Sequence, residues 1–206
     1  MKTILWLIIA FITISVGTAC NAVLSNENET VPQYTSDTAN MGTIPNDEIL
    51  LVSDKHFRIF GNADTGNYYY EIINSNGELV YSNTYFGAIT PEIQYISDNI
   101  IEICLYGGNY AESCKFYSIA QDKFSDNFIN PYLVENGKIV YYDGNTHQLI
   151  VQDIFSKNKF YKVFSRDIAV TAAPLEIKFI DDDTKLFITY YRESDFIEIT
   201  ETINLE

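Results

Sequence analysis

From Glu48 onward, short apolar runs alternate with turn residues, and no stretch keeps a helical period over ten residues. The pattern predicts strands near 48–52, 56–61, 67–73 and 78–85, then near 92–96, 100–106, 113–119 and 124–129. It continues near 132–134, 138–142, 148–154 and 159–164, and ends near 175–180, 185–191 and 195–203. Ser53-Asp54, Asn76-Gly77, Gly107-Gly108, Asn136-Gly137, Asp143-Gly144 and Asp181-Asp182 stand between runs, residue types that turn a chain by local hydrogen bonding or by tolerating positive φ.

Taken in fours, the runs repeat. Pro45, Pro91, Pro131 and Pro174 each open a group, at spacings of 46, 40 and 43 residues. Each first strand then reaches a polar turn at an equivalent place: Leu51-Val52-Ser53-Asp54, Tyr95-Ile96-Ser97-Asp98, Leu133-Val134-Glu135-Asn136 and Phe179-Ile180-Asp181-Asp182. A period of this length with four strands resembles the blade of a β-propeller, although no WD or kelch signature is present. The expected fold is all-β, with β-propeller-like repeats of about four antiparallel strands near 48–90, 91–130, 131–173 and 174–206; an antiparallel sandwich or meander is the alternative. The last repeat is short and lacks a fourth run. In closed propellers an N-terminal segment often supplies such a strand.

Ahead of these repeats lies a different kind of sequence. Lys2 precedes an apolar run from Ile4 to Ala19, and Gly17-Thr18-Ala19-Cys20 closes it. As a helix this run would reach about 24 Å, short of the ~30 Å hydrocarbon core. A basic start, an apolar stretch and small residues before Cys20 resemble a bacterial lipoprotein signal with its lipobox, with Gly17 where an aliphatic residue is more usual. The resemblance implies a signal peptide over 1–19, diacylglyceryl on the Cys20 sulfur and cleavage before Cys20. Two acyl chains would hold the protein on the outer face of a bacterial cell membrane. Ordinary secretory cleavage at the same place, and an uncleaved anchor, are the alternatives.

Residues 20–47 then read as a lipidated cysteine and an acidic, disordered tether. This stretch holds Glu27, Glu29, Asp37 and Asp47, no Lys or Arg, and Tyr34 as its single aromatic residue. A coil of this length reaches roughly 30 Å. An added edge strand within it is the alternative.

Charge narrows the partners. The 206 residues carry 13 Lys+Arg against 28 Asp+Glu, a formal net charge of −15. Such a chain lacks the cationic face that nucleic acid or anionic lipid requires. A protein or carbohydrate ligand with a cationic or neutral surface fits better.

Candidate chemistry is sparse. With Cys20 taken by lipid, Cys104 and Cys114 remain, flanking Gly107-Gly108-Asn109-Tyr110-Ala111. A hairpin centred on Asn109 sets the two thiols opposite each other, where an oxidising compartment would link them; a one-residue slip would part them. His56 and His147 stand apart from any ligand spacing, so no metal site, cofactor or catalytic residue is indicated. Asn62-Ala63-Asp64-Thr65-Gly66-Asn67 and Asp181-Asp182-Asp183 are oxygen clusters that read as hairpin turns before they read as calcium loops. No Gly-x-Ser-x-Gly elbow or phosphate loop occurs. The sequence therefore points to a tethered, non-catalytic binding module. A carbohydrate-active hydrolase, or a partial propeller working inside a larger complex, are the alternatives.

Overall fold

The computed structural model describes residues 48–62, 64–107 and 112–206. The chain divides into two units, Met1–Asp37 and Thr38–Glu206, and the described residues belong to the second. The expected signal peptide, Cys20 and the whole of the expected tether lie outside the described residues.

The described residues are all-β, with no helix among them. Sixteen strands form four antiparallel sheets, each built from consecutive strands. The first sheet is β1 (Ile49–Ser53), β2 (Phe57–Asn62), β3 (Asn67–Ile73) and β4 (Leu79–Phe86), paired in chain order. The second is β5 (Glu92–Ser97), β6 (Ile100–Tyr106), β7 (Glu112–Ser118) and β8 (Lys123–Phe124), with β9 (Phe128–Ile129) also pairing β7. β10 (Leu133–Glu135), β11 (Lys138–Asp143), β12 (Gln148–Asp153) and β13 (Tyr161–Ser165) make the third. The fourth has three strands, β14 (Glu176–Ile180), β15 (Lys185–Tyr191) and β16 (Glu198–Asn204).

Period-two patterning explains why the sheets stack. Successive side chains on a strand point to opposite faces, so a strand that is apolar on both faces needs a cover on each. Ile103, Leu105 and Tyr117 of the second sheet pack with Phe57, Ile59, Tyr68 and Tyr70 of the first. Cys104, Cys114 and Phe116, on the opposite face of that second sheet, pack with Ile139 of the third and with Ile154, which directly follows β12. Val140, Leu149 and Val151 of the third sheet pack in turn with Leu186, Ile188 and Ile203 of the fourth. The core is thus a series of three layers between neighbours in sequence. No hydrophobic cluster among the described residues joins the first sheet to the fourth.

Two expectations change. The single run near 124–129 is two short strands, because the chain swings out between them and Ser125 takes over the ladder. Its Oγ accepts from the Phe116 amide at 2.9 Å, and its own amide donates to the Phe116 carbonyl at 2.9 Å. His56, expected inside a strand, sits in the β1–β2 turn, where its amide donates to Asp54 Oδ1 at 3.1 Å.

Candidate functional site

The four turns singled out by the repeat occupy one place in the topology, each linking the first and second strands of its sheet. They are built differently. Asn136 and Gly137, at φ 52° and 73°, form the two-residue link between Glu135 and Lys138 that suits a tight hairpin. Asp181, Asp182 and Asp183 all take positive φ in the β14–β15 turn. Neighbouring turns then meet. Asn136 Nδ2 donates to Asp183 Oδ1 at 3.2 Å, and Lys138 Nζ donates to Asp183 Oδ2 at 3.0 Å. Between the first and second sheets, the hydroxyl of Tyr95, in β5, donates to Asp54 Oδ1 at 2.5 Å.

The Asp54–Tyr95 junction borders an open cleft of about 580 Å³ lined by Lys55, His56, Tyr95, Ile96, Ser97 and Asp98. Bulges shape its walls. The β1–β2 register shifts between Leu50 and Val52, and the β5–β6 register between Tyr95 and Ser97. A bulge adds one residue and re-aims the side chains around it; Leu51, Val52, Tyr95 and Ile96 are exposed at the ends of the two first strands, as are Ile49 and Leu50 ahead of the first bulge. His56 is buried, with Nδ1 at 2.9 Å from the Ile73 carbonyl. A carbonyl only accepts, so Nδ1 carries the proton. The His56 and Phe57 rings lie against Tyr95, with centroids at 6.4 and 5.9 Å.

The Tyr95–Asp54 hydrogen bond perturbs both groups. It holds the Asp54 carboxyl below the ordinary aspartate value, assisted by the His56 and Lys55 amides and opposed by desolvation. Desolvation first, and the Asp54 carboxylate second, push the Tyr95 hydroxyl up to about 12. A depressed folded-state pKa contributes stability that is present above the unfolded value and is lost as pH falls through the folded one. Tyr95→Phe should therefore raise the Asp54 pKa toward its ordinary value, read by NMR titration of the Asp54 carboxyl. An unchanged titration would show that the hydroxyl does not act on Asp54 in solution.

Cys104 and Cys114 are direct cross-strand partners on β6 and β7, joined by a disulfide, with Cα atoms 4.3 Å apart. Both are buried between the second and third sheets. The Glu102 carboxylate lies within 4.8 Å of the two sulfurs, and burial raises its pKa. The bond between the sulfurs removes both thiolates as metal ligands. His147 sits at the β11–β12 turn in the third sheet, its Nδ1 3.0 Å from the Tyr142 hydroxyl, so the two histidines serve separate turns. In the turn near Asn62 the Asp64 amide donates to Asn62 Oδ1 at 2.9 Å, and Asp181 pairs with Lys185 at 2.7 Å. The first cluster bonds within its own turn, while the second combines a local ion pair with the bonds of Asp183 to Asn136 and Lys138 of the third sheet.

The Asp54–Tyr95 contact was missed by sequence reasoning, because the two residues are 41 positions apart. The repeat phase was the available signal: a turn aligned with its neighbour's turn lies beside the neighbour's first strand once the sheets stack.

No protein-family model matches this sequence, and no curated protein is similar to it at a significant level. A solved structure, Kluyveromyces lactis Hsv2, is similar at 11% identity and a TM-score of 0.31, over 74% of this chain and 59% of that one. This chain therefore spans less than two thirds of that chain's length, and at that score the likeness decides neither fold nor function.

Proposed function

We propose that this protein is a non-catalytic recognition module, held on the outer face of a bacterial cell membrane by diacylglycerol on Cys20. Its sheets act as the blades of a propeller-like array. The signal-like sequence ending Gly17-Thr18-Ala19-Cys20 supports the anchor. Four consecutive sheets stacked in chain order support the blade reading.

The observation that carries the binding role is the exposed pair Tyr95 and Ile96 in a cleft that Lys55 and Asp98 also line, with Asp54 bonded to the Tyr95 hydroxyl. An apolar centre inside a charged edge is the anatomy of a protein-binding patch. With a net charge of −15, the chain favours a partner with a cationic or neutral face, and salt should weaken the interaction.

Two measurements test this reading. Cys20→Ala should move the protein from the membrane fraction to the soluble or secreted fraction; an unchanged membrane fraction would remove the lipid anchor from the proposal. A photo-crosslinker at Ile96 should capture one envelope protein reproducibly. Tyr95→Ala should then weaken that complex roughly tenfold or more, as truncating a central anchor does. Turnover of an extracellular carbohydrate that is abolished by His56→Ala would replace this reading with the hydrolase.

A further inference from the structure

The outer strand of the fourth sheet has a self-complementary sequence. β16 is the last strand of a three-stranded sheet, and among the described residues nothing pairs with its second edge. Soluble proteins guard such edges with bulges, lysines, prolines or short strands. Other edges of this molecule carry those devices. β1, β4 and β5 are bulged. β8, β9 and β10 are two, two and three residues long. β13 carries Lys162 and β14 carries Lys178. β16 has seven residues in unbroken register with β15, and no Lys, Pro or Gly.

Its sequence adds the second observation. Ile199-Thr200-Glu201-Thr202-Ile203 reads the same in both directions. Two copies of a palindromic strand, paired antiparallel about a two-fold axis, bring every residue opposite its own kind. We propose that β16 joins β16 of a second copy of this chain with Glu201 on the axis, making one continuous six-stranded sheet.

In that register Ile199 meets the partner's Ile203 on the face that already packs toward the third sheet. Thr200 meets the partner's Thr202 on the opposite face. There Thr200 already shares a hydrogen bond of 3.0 Å with Thr189 across β15 and β16, so the row of hydroxyls extends over the axis. Apolar β-branched pairs and threonine pairs are favourable cross-strand neighbours.

The two Glu201 carboxylates come together at the axis, where unshielded like charges would repel. Each is already clamped by Arg166, whose Nε and Nη2 donate at 2.5 and 2.8 Å, and accepts from the Tyr190 hydroxyl at 3.1 Å. The axis therefore carries two neutralised pairs.

The test uses the full chain in detergent micelles. Sedimentation equilibrium should show a concentration-dependent dimer. Thr200→Lys with Thr202→Lys sets lysines opposite lysines at exposed positions and should give a monomer at the same concentrations, with an unchanged circular dichroism spectrum and cooperative melting. As a second measurement, chains carrying Thr200→Cys are mixed with chains carrying Thr202→Cys and oxidised. Mass spectrometry should find a peptide linked through positions 200 and 202. A wild-type chain that stays monomeric at every concentration overturns the proposal. So does a dimer that is indifferent to the lysines and gives no such linked peptide, or a monomer whose β16 amides are protected by residues 21–47.

Discussion

Replacing Cys104 and Cys114 together by alanine should lower the stability of the sheet domain by about 3 kcal/mol, the chain-entropy value for so short a closed loop. The two residues are ten positions apart and both are buried. For a domain of this size the midpoint of thermal unfolding should fall by roughly 6–12 °C. Urea denaturation of wild type with and without reductant checks the cause. Reduced wild type should lose most of what the double variant loses. If reductant leaves the midpoint unchanged, the purified protein does not carry the bridge.

The second large effect is expected at Phe116. Its side chain is fully buried, packs on Phe128 at a centroid distance of 5.9 Å, and sits in the cluster that joins the second and third sheets. Phe116→Ala removes that contact and leaves a cavity that a rigid β-sheet cannot collapse, at a cost of about 3–5 kcal/mol. Set against the 5–15 kcal/mol typical of a whole domain, this is a large share. Fluorescence and circular dichroism transitions should move together if the four sheets unfold as one body. Transitions that separate would show that the second and third sheets couple weakly.

Strand positions were legible because short apolar runs are set off by polar punctuation; inner strands such as β3 and β12 are buried on both faces, so run length and turns mark them rather than alternation. The Cys104–Cys114 pairing rested on one assumed hairpin centre, with a one-residue slip as its alternative, and the β6–β7 ladder sets the two residues opposite each other. What escaped were places where a side chain takes over backbone work. Ser125 splits one expected strand by bonding both backbone groups of Phe116, and Asp54 draws His56 out of β2 by accepting its amide. Neither leaves a mark in hydropathy. The rim contact of Tyr95 with Asp54 depends on which sheet lies next to which, a tertiary fact that apolar periodicity does not encode. The repeat supplied the order of the sheets, and the three-layer core supplied the contact.

Each ladder joins strands that lie close together in the chain, and each sheet packs on the one made just before it. A growing polypeptide therefore never has to wait for a distant segment. Once β4 has emerged the first sheet holds its hydrogen bonds, and every later hairpin condenses on a surface already in place. Such a molecule can mature from one end to the other as it is threaded through a narrow exit. At any moment it exposes the sticky face of a single sheet to the surrounding medium.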